Sequence, residues 1–130
     1  IKTDNCGGQQ MNFVHLKIFG NNLNVDFIRD NLLLSPDTIC EASQSINGMV
    51  SWAYSEETED EDLNNVVSNL IMRIYEKKGF FSKLSDLGND VYFVIAYYVE
   101  SYQGIISLDS NLLSKLGEMK IKLIVDIMAP

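Results

Sequence analysis

The stretch TEDEDLNNVVSNLIMRIYEKKG, Thr58–Gly79, decides how the chain is read, because its helical period is the clearest in the sequence. Leu63, Val66, Val67, Leu70, Ile71 and Ile74 recur at steps of three and four, which gathers them on one side of an α-helix. Asn64, Asn65, Ser68 and Arg73 fall on the other side. The spacing predicts an amphipathic helix lying on a core. Thr58 and Glu61 stand in the order of a Thr-x-x-Glu capping box, whose hydroxyl and carboxylate satisfy amides that a first turn leaves unpaired. Lys77, Lys78 and Gly79 mark the end, so acidic groups sit near the positive end of the helix dipole and basic ones near the negative end.

Before this helix, Asn12–Phe19 alternates, with Val14, Leu16 and Ile18 on one side and Phe13, His15, Lys17 and Phe19 on the other, as a half-buried strand requires. Asn24 is placed to cap a short helix that turns Phe27, Ile28 and Leu32 inward, and Ser35 and Pro36 stop it. Asp37–Asn47 reads as irregular. Met49–Tyr54 is a second strand with Val50, Trp52 and Tyr54 on one face.

After the helix, Phe80–Leu87 predicts a further helical turn or two, closed by Gly88, Asn89 and Asp90. Val91–Val99 is the most apolar and β-branched stretch and is expected to be the central strand. Ser101–Gly104 is expected to turn it into a short hairpin partner, Ile105–Leu108. Asp109 caps a helix with Leu112, Leu113 and Leu116 buried and Gly117 at a left-handed C-cap. Lys120–Met128 closes the chain as a strand with Ile121, Leu123, Val125 and Ile127 on one side and Lys122, Ile124 and Asp126 on the other.

Residues 1–10 form a flexible lead-in on this reading, and residues 11–130 one α+β domain. The expected architecture is a mixed, mainly antiparallel sheet with helices packed on one face. It is of the split β-α-β type, with two similar halves on either side of the long helix.

The order of these features resembles a bacterial family known as domain of unknown function 4279. The residues that carry the resemblance are Gly20-Asn-Asn-Leu-Asn24 after the first strand, Trp52 on a strand before an acidic segment, and Ile106-Ser-Leu-Asp109 before Leu112-Leu113. A closing apolar strand that holds Asp126 completes the order. Ser35 and Pro36 fit the family's Pro-containing connection, whereas its basic, Gly-rich segment before the tryptophan is represented only by Ser43–Gly48. The resemblance implies the fold and a bacterial source, and it transfers no catalytic residue.

Composition bounds the chemistry. A net charge of −8 disfavours a phosphate-backbone footprint, so no nucleic acid is expected, and it favours a basic protein partner. No apolar run approaches the ~18–20 residues of a membrane span, and no charged-then-apolar leader is present, so a cytoplasmic protein without membrane contact is expected. Cys6 and Cys40 are the only cysteines and are expected to be reduced thiols. Phosphate loops, dinucleotide fingerprints, His-Glu-x-x-His and Gly-x-Ser-x-Gly are all missing, and there is one histidine. The sequence therefore leans away from an enzyme, with no metal and no cofactor expected.

What is left is surface. Glu56, Glu57, Glu59, Asp60, Glu61 and Asp62 form an acidic run that suits a basic partner, although helix N-termini favour such residues for their own sake. Glu56, Glu57, Glu59, Asp60, Trp52 and Tyr98 are the candidate partner-binding residues. With helices on one face only, the other would present Phe13, His15, Phe19, Tyr92 and Tyr98 as an apolar patch for a partner or a homodimer. The first functional expectation is a noncatalytic interaction protein of immunity or regulatory type. The alternative is a small-molecule-binding or enzymatic domain with a pocket between sheet and helices, in which His15 is oriented by Asp126 if their strands are neighbours.

Overall fold

In β1 (Asn12–Gly20) buried and half-buried residues alternate without a break, as its sequence dictates. A strand that buries one face and pairs along both edges must be interior, and β1 is the middle strand. A computed structural model of the chain describes residues 11–40, 49–99 and 105–128. The other expected features, namely the lead-in over residues 1–10, the Ser101–Gly104 turn and the segment 41–48, lie outside these. On one edge β1 pairs antiparallel with β3 (Val50–Thr58), and on the other antiparallel with β4 (Asp90–Tyr98). A three-residue strand, β2 (Thr38–Cys40), joins β3 within the segment expected to be irregular, and β5 (Lys122–Met128) joins β4 in parallel. The order is β2-β3-β1-β4-β5.

The Val91–Val99 stretch thus lies one place from the middle. Its apolarity reports burial on both faces and not its rank in the sheet. Among the described residues Ile105–Leu108 is not a strand. Asn64 holds it instead: its side-chain amide donates to the Ile105 carbonyl (2.9 Å) and its carbonyl accepts from the Ser107 amide (2.9 Å). Parallel neighbours such as β4 and β5 require a crossover, and this segment with α4 (Ser110–Glu118) supplies it. Of the two strand–helix–strand units, the first therefore joins antiparallel neighbours and the second parallel ones.

Among the described residues four α-helices lie on one face of the sheet. The apolar positions of α2 (Leu63–Tyr75) fall where the periodicity puts them, with Leu63, Val67, Leu70, Ile71 and Ile74 buried. Its start differs from the expected capping box. Thr58 is the buried last residue of β3 and donates its hydroxyl to the Glu59 carbonyl, and a 3₁₀ turn, Asp60–Asp62, intervenes before the helix. Lys78 and Gly79 open α3 (Lys78–Asp86), so the stop signals separate two helices. In α1 (Val25–Leu32), Asn24 caps as expected, accepting from the Phe27 amide (3.0 Å). The helix ends at Leu33 in a left-handed conformation, before Ser35 and Pro36 are reached. Asp109 caps α4, accepting from the Leu112 amide (2.9 Å), but Gly117 lies inside that helix and Lys120 takes the left-handed position. Phe27 and Leu113, expected to be buried, are exposed.

Val14, Leu16 and Ile18 of β1, Trp52 of β3 and Phe93 and Ile95 of β4 meet Ile28, Leu70, Ile71, Phe81, Leu112 and Leu116 from the four helices in one apolar cluster. Gly20, at the end of β1, faces the Asn89 side chain, and a Cβ there would stand 1.8 Å from Asn89 Oδ1 and 2.9 Å from its Cγ. Asn89 would have to swing away and give up the bond from its side-chain amide to the Leu84 carbonyl (3.2 Å). Gly20→Ala is expected to cost about 1–2 kcal/mol in urea unfolding. In an Asn89→Ala background it should cost clearly less; equal costs in both backgrounds would show that the contact is not the cause.

Candidate functional site

Cross-strand pairing fixes which side chains share the face away from the helices. Starting from Phe13, His15, Lys17 and Phe19 of β1, the register adds Ser51, Ala53, Ser55 and Glu57 of β3, and Tyr92, Val94, Ala96 and Tyr98 of β4. Lys122, Ile124, Asp126 and Met128 of β5 complete it. Among the described residues no helix packs over this face, since all four place their buried residues in the cluster on the other side. The aromatic rings cover it in part. Phe13 and His15 stack with centroids 5.7 Å apart, Phe19 meets Tyr92 edge-on at 5.6 Å, and the Lys122 ammonium lies 5.5 Å from the Tyr92 ring centre. Beneath this rim Val94 and Ala96 are buried although they stand outside the main apolar cluster.

Two open depressions flank β1. One, of about 340 Å³, is bounded by Lys17, Phe19, Tyr92, Val94, Ile124 and Asp126. The other, of about 290 Å³, runs over the small residues Ser51, Ala53 and Ser55 between His15 and Thr38. Small side chains on β3 beside large ones on β1 produce this second trough.

His15 and Asp126 share the face but not a neighbourhood, because β4 runs between their strands and Val94 stands opposite His15. The strands are not neighbours, so Asp126 does not orient the imidazole. Ser55, directly across β3, is the partner of His15, with Nδ1 and Oγ 2.6 Å apart. Burial first, and then the Lys17 ammonium, hold the imidazole below its ordinary 6.5, with Asp37 pulling the other way. The unfolded chain therefore binds the proton more readily, so stability rises with pH across this window and is lost as pH falls below about 6.5 towards the lowered folded value. Relative to His15→Gln, the wild type should lose stability in urea titrations as pH falls through about 6.5 towards the lowered folded value; parallel profiles would contradict the shift.

The acidic run divides. Glu56 lies on the helix side, where it accepts from the Tyr54 hydroxyl (3.0 Å) and approaches Arg73 of α2 at 3.8 Å. Glu57 is exposed on the open face. Glu59, Glu61 and Asp62 are exposed at the 3₁₀ turn with carboxylates close together, while Asp60 accepts from the Asn12 side-chain amide. Trp52 is fully buried in the helix-side core, opposite Ile18, and Tyr98 is half-buried on the open face. Of the candidate partner residues, Glu57 and Tyr98 lie on this face, Glu59 and Asp60 are exposed at the turn that follows β3, and Trp52 and Glu56 are turned to the helix side.

Sequence patterns passed over two residues that hold this frame. Asn12 is 1% exposed and ties three elements, giving its amide to Asp60 and accepting the Tyr98 backbone N–H (2.8 Å). Asn64, placed among solvent-facing positions by the periodicity, clamps the crossover. Neither follows a periodic rule; a lone polar residue at the end of a strand is the one signal Asn12 offers.

Among the described residues no helix is long and apolar enough to cross a membrane. Comparison with curated proteins and with solved structures found no match. The family model described as "Domain of unknown function (DUF4279)" matches residues 9–130, nearly the whole chain and all of the sheet described above, and the protein belongs to that family.

Proposed function

We propose that the chain is a noncatalytic interaction protein, of immunity or regulatory type, that meets a basic protein through the open face of its sheet. The observation that carries this reading is the row of Phe13, His15, Phe19, Tyr92 and Tyr98 on a face that none of the described helices covers. Aromatic side chains on a rigid sheet give large contact area at small entropic cost, which suits a binding surface. The exposed carboxylate of Glu57 stands on this face, those of Glu59, Glu61 and Asp62 are exposed at the turn that follows β3, and together with the net charge of −8 they would steer a cationic partner. His15 and Asp126 do not converge, since His15 meets a hydroxyl and Asp126 lies two strands away.

The test is capture from an extract of the native host on immobilised wild type and on a Phe19→Ser/Tyr92→Ser variant. Basic proteins retained by the wild type should be held at least about tenfold less by the variant, and retention should fall as salt is raised. Equal retention by both, or none by either, overturns the proposal. A second reading, a small polar ligand in the trough beside His15 and Ser55, rests on the 2.6 Å contact that opens onto it. It predicts a metabolite that raises the melting temperature of the wild type and not of Ser55→Val.

A further inference from the structure

The two edges of the sheet are unlike. β2 is a three-residue strand, too short to template much pairing, whereas β5 is a seven-residue edge without proline or glycine. Among the described residues β5 has β4 as its one neighbour. Its apolar side chains are open to solvent: Ile124 is 41% exposed, Val125 43% and Ile127 58%. A long, apolar, unpaired edge is what folded proteins ordinarily avoid, by shortening, charge, bulges or a covering element.

The backbone direction follows from one bond. The Val99 N–H donates to the Met128 carbonyl (2.9 Å), so the main-chain groups of Met128 face β4. Because these groups alternate along a strand, those of Asp126, Ile124 and Lys122 also face β4, and those of Leu123, Val125 and Ile127 point outwards. An antiparallel copy of β5 related by a two-fold axis at Ile124 would set Leu123 opposite Val125 of the other copy, with both outward-facing and able to exchange N–H···O=C bonds. The charges also match in that register. Lys122 of each copy falls opposite Asp126 of the other, at non-hydrogen-bonded positions where facing side chains are closest, and Ile124 meets Ile124 between them. Moving the axis to Lys122 or to Asp126 puts like charges face to face.

We propose that β5 is a homodimer interface, in which two copies join edge to edge in this register to make one ten-stranded sheet. The occupant is a second copy because the charge pattern of the edge complements itself about its own midpoint. Such an interface is isologous, as two-fold dimers require. It leaves the aromatic rim of Phe13, Phe19 and Tyr92 uncovered, so it is independent of the basic-partner reading.

Sedimentation equilibrium of the full chain near 0.15 M salt tests it. The wild type should show a monomer–dimer equilibrium. Asp126→Lys and Lys122→Asp, each placing two like-charge pairs in the interface, should each weaken dimerisation at least tenfold. The exchanged double variant Lys122→Asp/Asp126→Lys should return it to within about threefold of wild type. Amide exchange should slow at Leu123 and Val125 as concentration rises. A wild type that stays monomeric at millimolar concentration overturns the proposal. So do single variants that dimerise like wild type, a double variant that fails to recover, or a dimer without slowed exchange at those two amides.

Discussion

Trp52→Ala is expected to destabilise the protein by about 3–5 kcal/mol in urea unfolding, a large part of the ~5–15 kcal/mol that holds a domain of this size folded. The indole is 0% exposed, stands opposite Ile18 and belongs to the apolar cluster between sheet and helices, where removing it leaves a cavity lined by rigid elements. Its Nε1–H is buried without a hydrogen-bond partner among the described residues. A buried donor left unpaired costs about 1–3 kcal/mol, so Trp52→Phe removes a penalty along with some volume. Its net cost should be only about 1–2 kcal/mol. If the phenylalanine variant is as unstable as the alanine variant, the indole N–H has a partner and this description of the core is wrong. Because Trp52 faces the helices, the phenylalanine variant should also retain partners as the wild type does.

Asn12→Asp should show the other large effect, of about 3 kcal/mol at neutral pH. Asn12 is the knot between the start of β1, the end of β4 and the 3₁₀ turn, and the side chain that accepts its amide is the Asp60 carboxylate. An aspartate there keeps an acceptor for the Tyr98 N–H but sets a second carboxylate, nearly buried, against Asp60. Desolvation and the like charge both raise its folded pKa above the ordinary ~3.9. The folded state then holds the proton more tightly than the unfolded chain, so the deficit against wild type is small at low pH and grows as pH rises from about 4 to the raised folded value. Asn12→Leu leaves the Tyr98 N–H without its partner and should be destabilised by about 1–3 kcal/mol with no such pH dependence. A pH-independent deficit in Asn12→Asp would show that the two side chains do not face each other.

Period carried most of the fold into view. In β1 the alternation of Val14, Leu16 and Ile18 with Phe13, His15 and Phe19 named the core face and the open face together, and in α2 the buried positions match the periodic ones. What period cannot carry is order. The apolar run of β4 suits any interior strand, and whether β5 pairs parallel or antiparallel depends on how the chain between them travels. The Asn64 clamp directs that path, and no local pattern marks it. Helix ends depart from their local signals where the backbone finds another route: Thr58 continues the strand where a capping box is spelled out, and Lys120 takes the left-handed turn that the sequence assigns to Gly117.

The site was legible to the same extent. The aromatic rim follows from alternation alone, because residues two apart on a strand must share a side. The acidic run did not resolve, since neighbours along a strand point to opposite faces and Glu56 and Glu57 are therefore parted. Trp52, named among the candidate partner-binding residues, is core by its register across from Ile18.

Hydroxyl-radical footprinting, read residue by residue with mass spectrometry, tests the central claim most directly, namely that one side of the sheet is core and the other is the working surface. Phe13, Phe19 and Tyr92 should label readily in buffer while Trp52, Phe81 and Phe93 do not, and in native-host extract labelling of the first three should fall at least about threefold. Labelling of Trp52 in the folded protein, or unchanged labelling of the open face in the extract, would contradict the account.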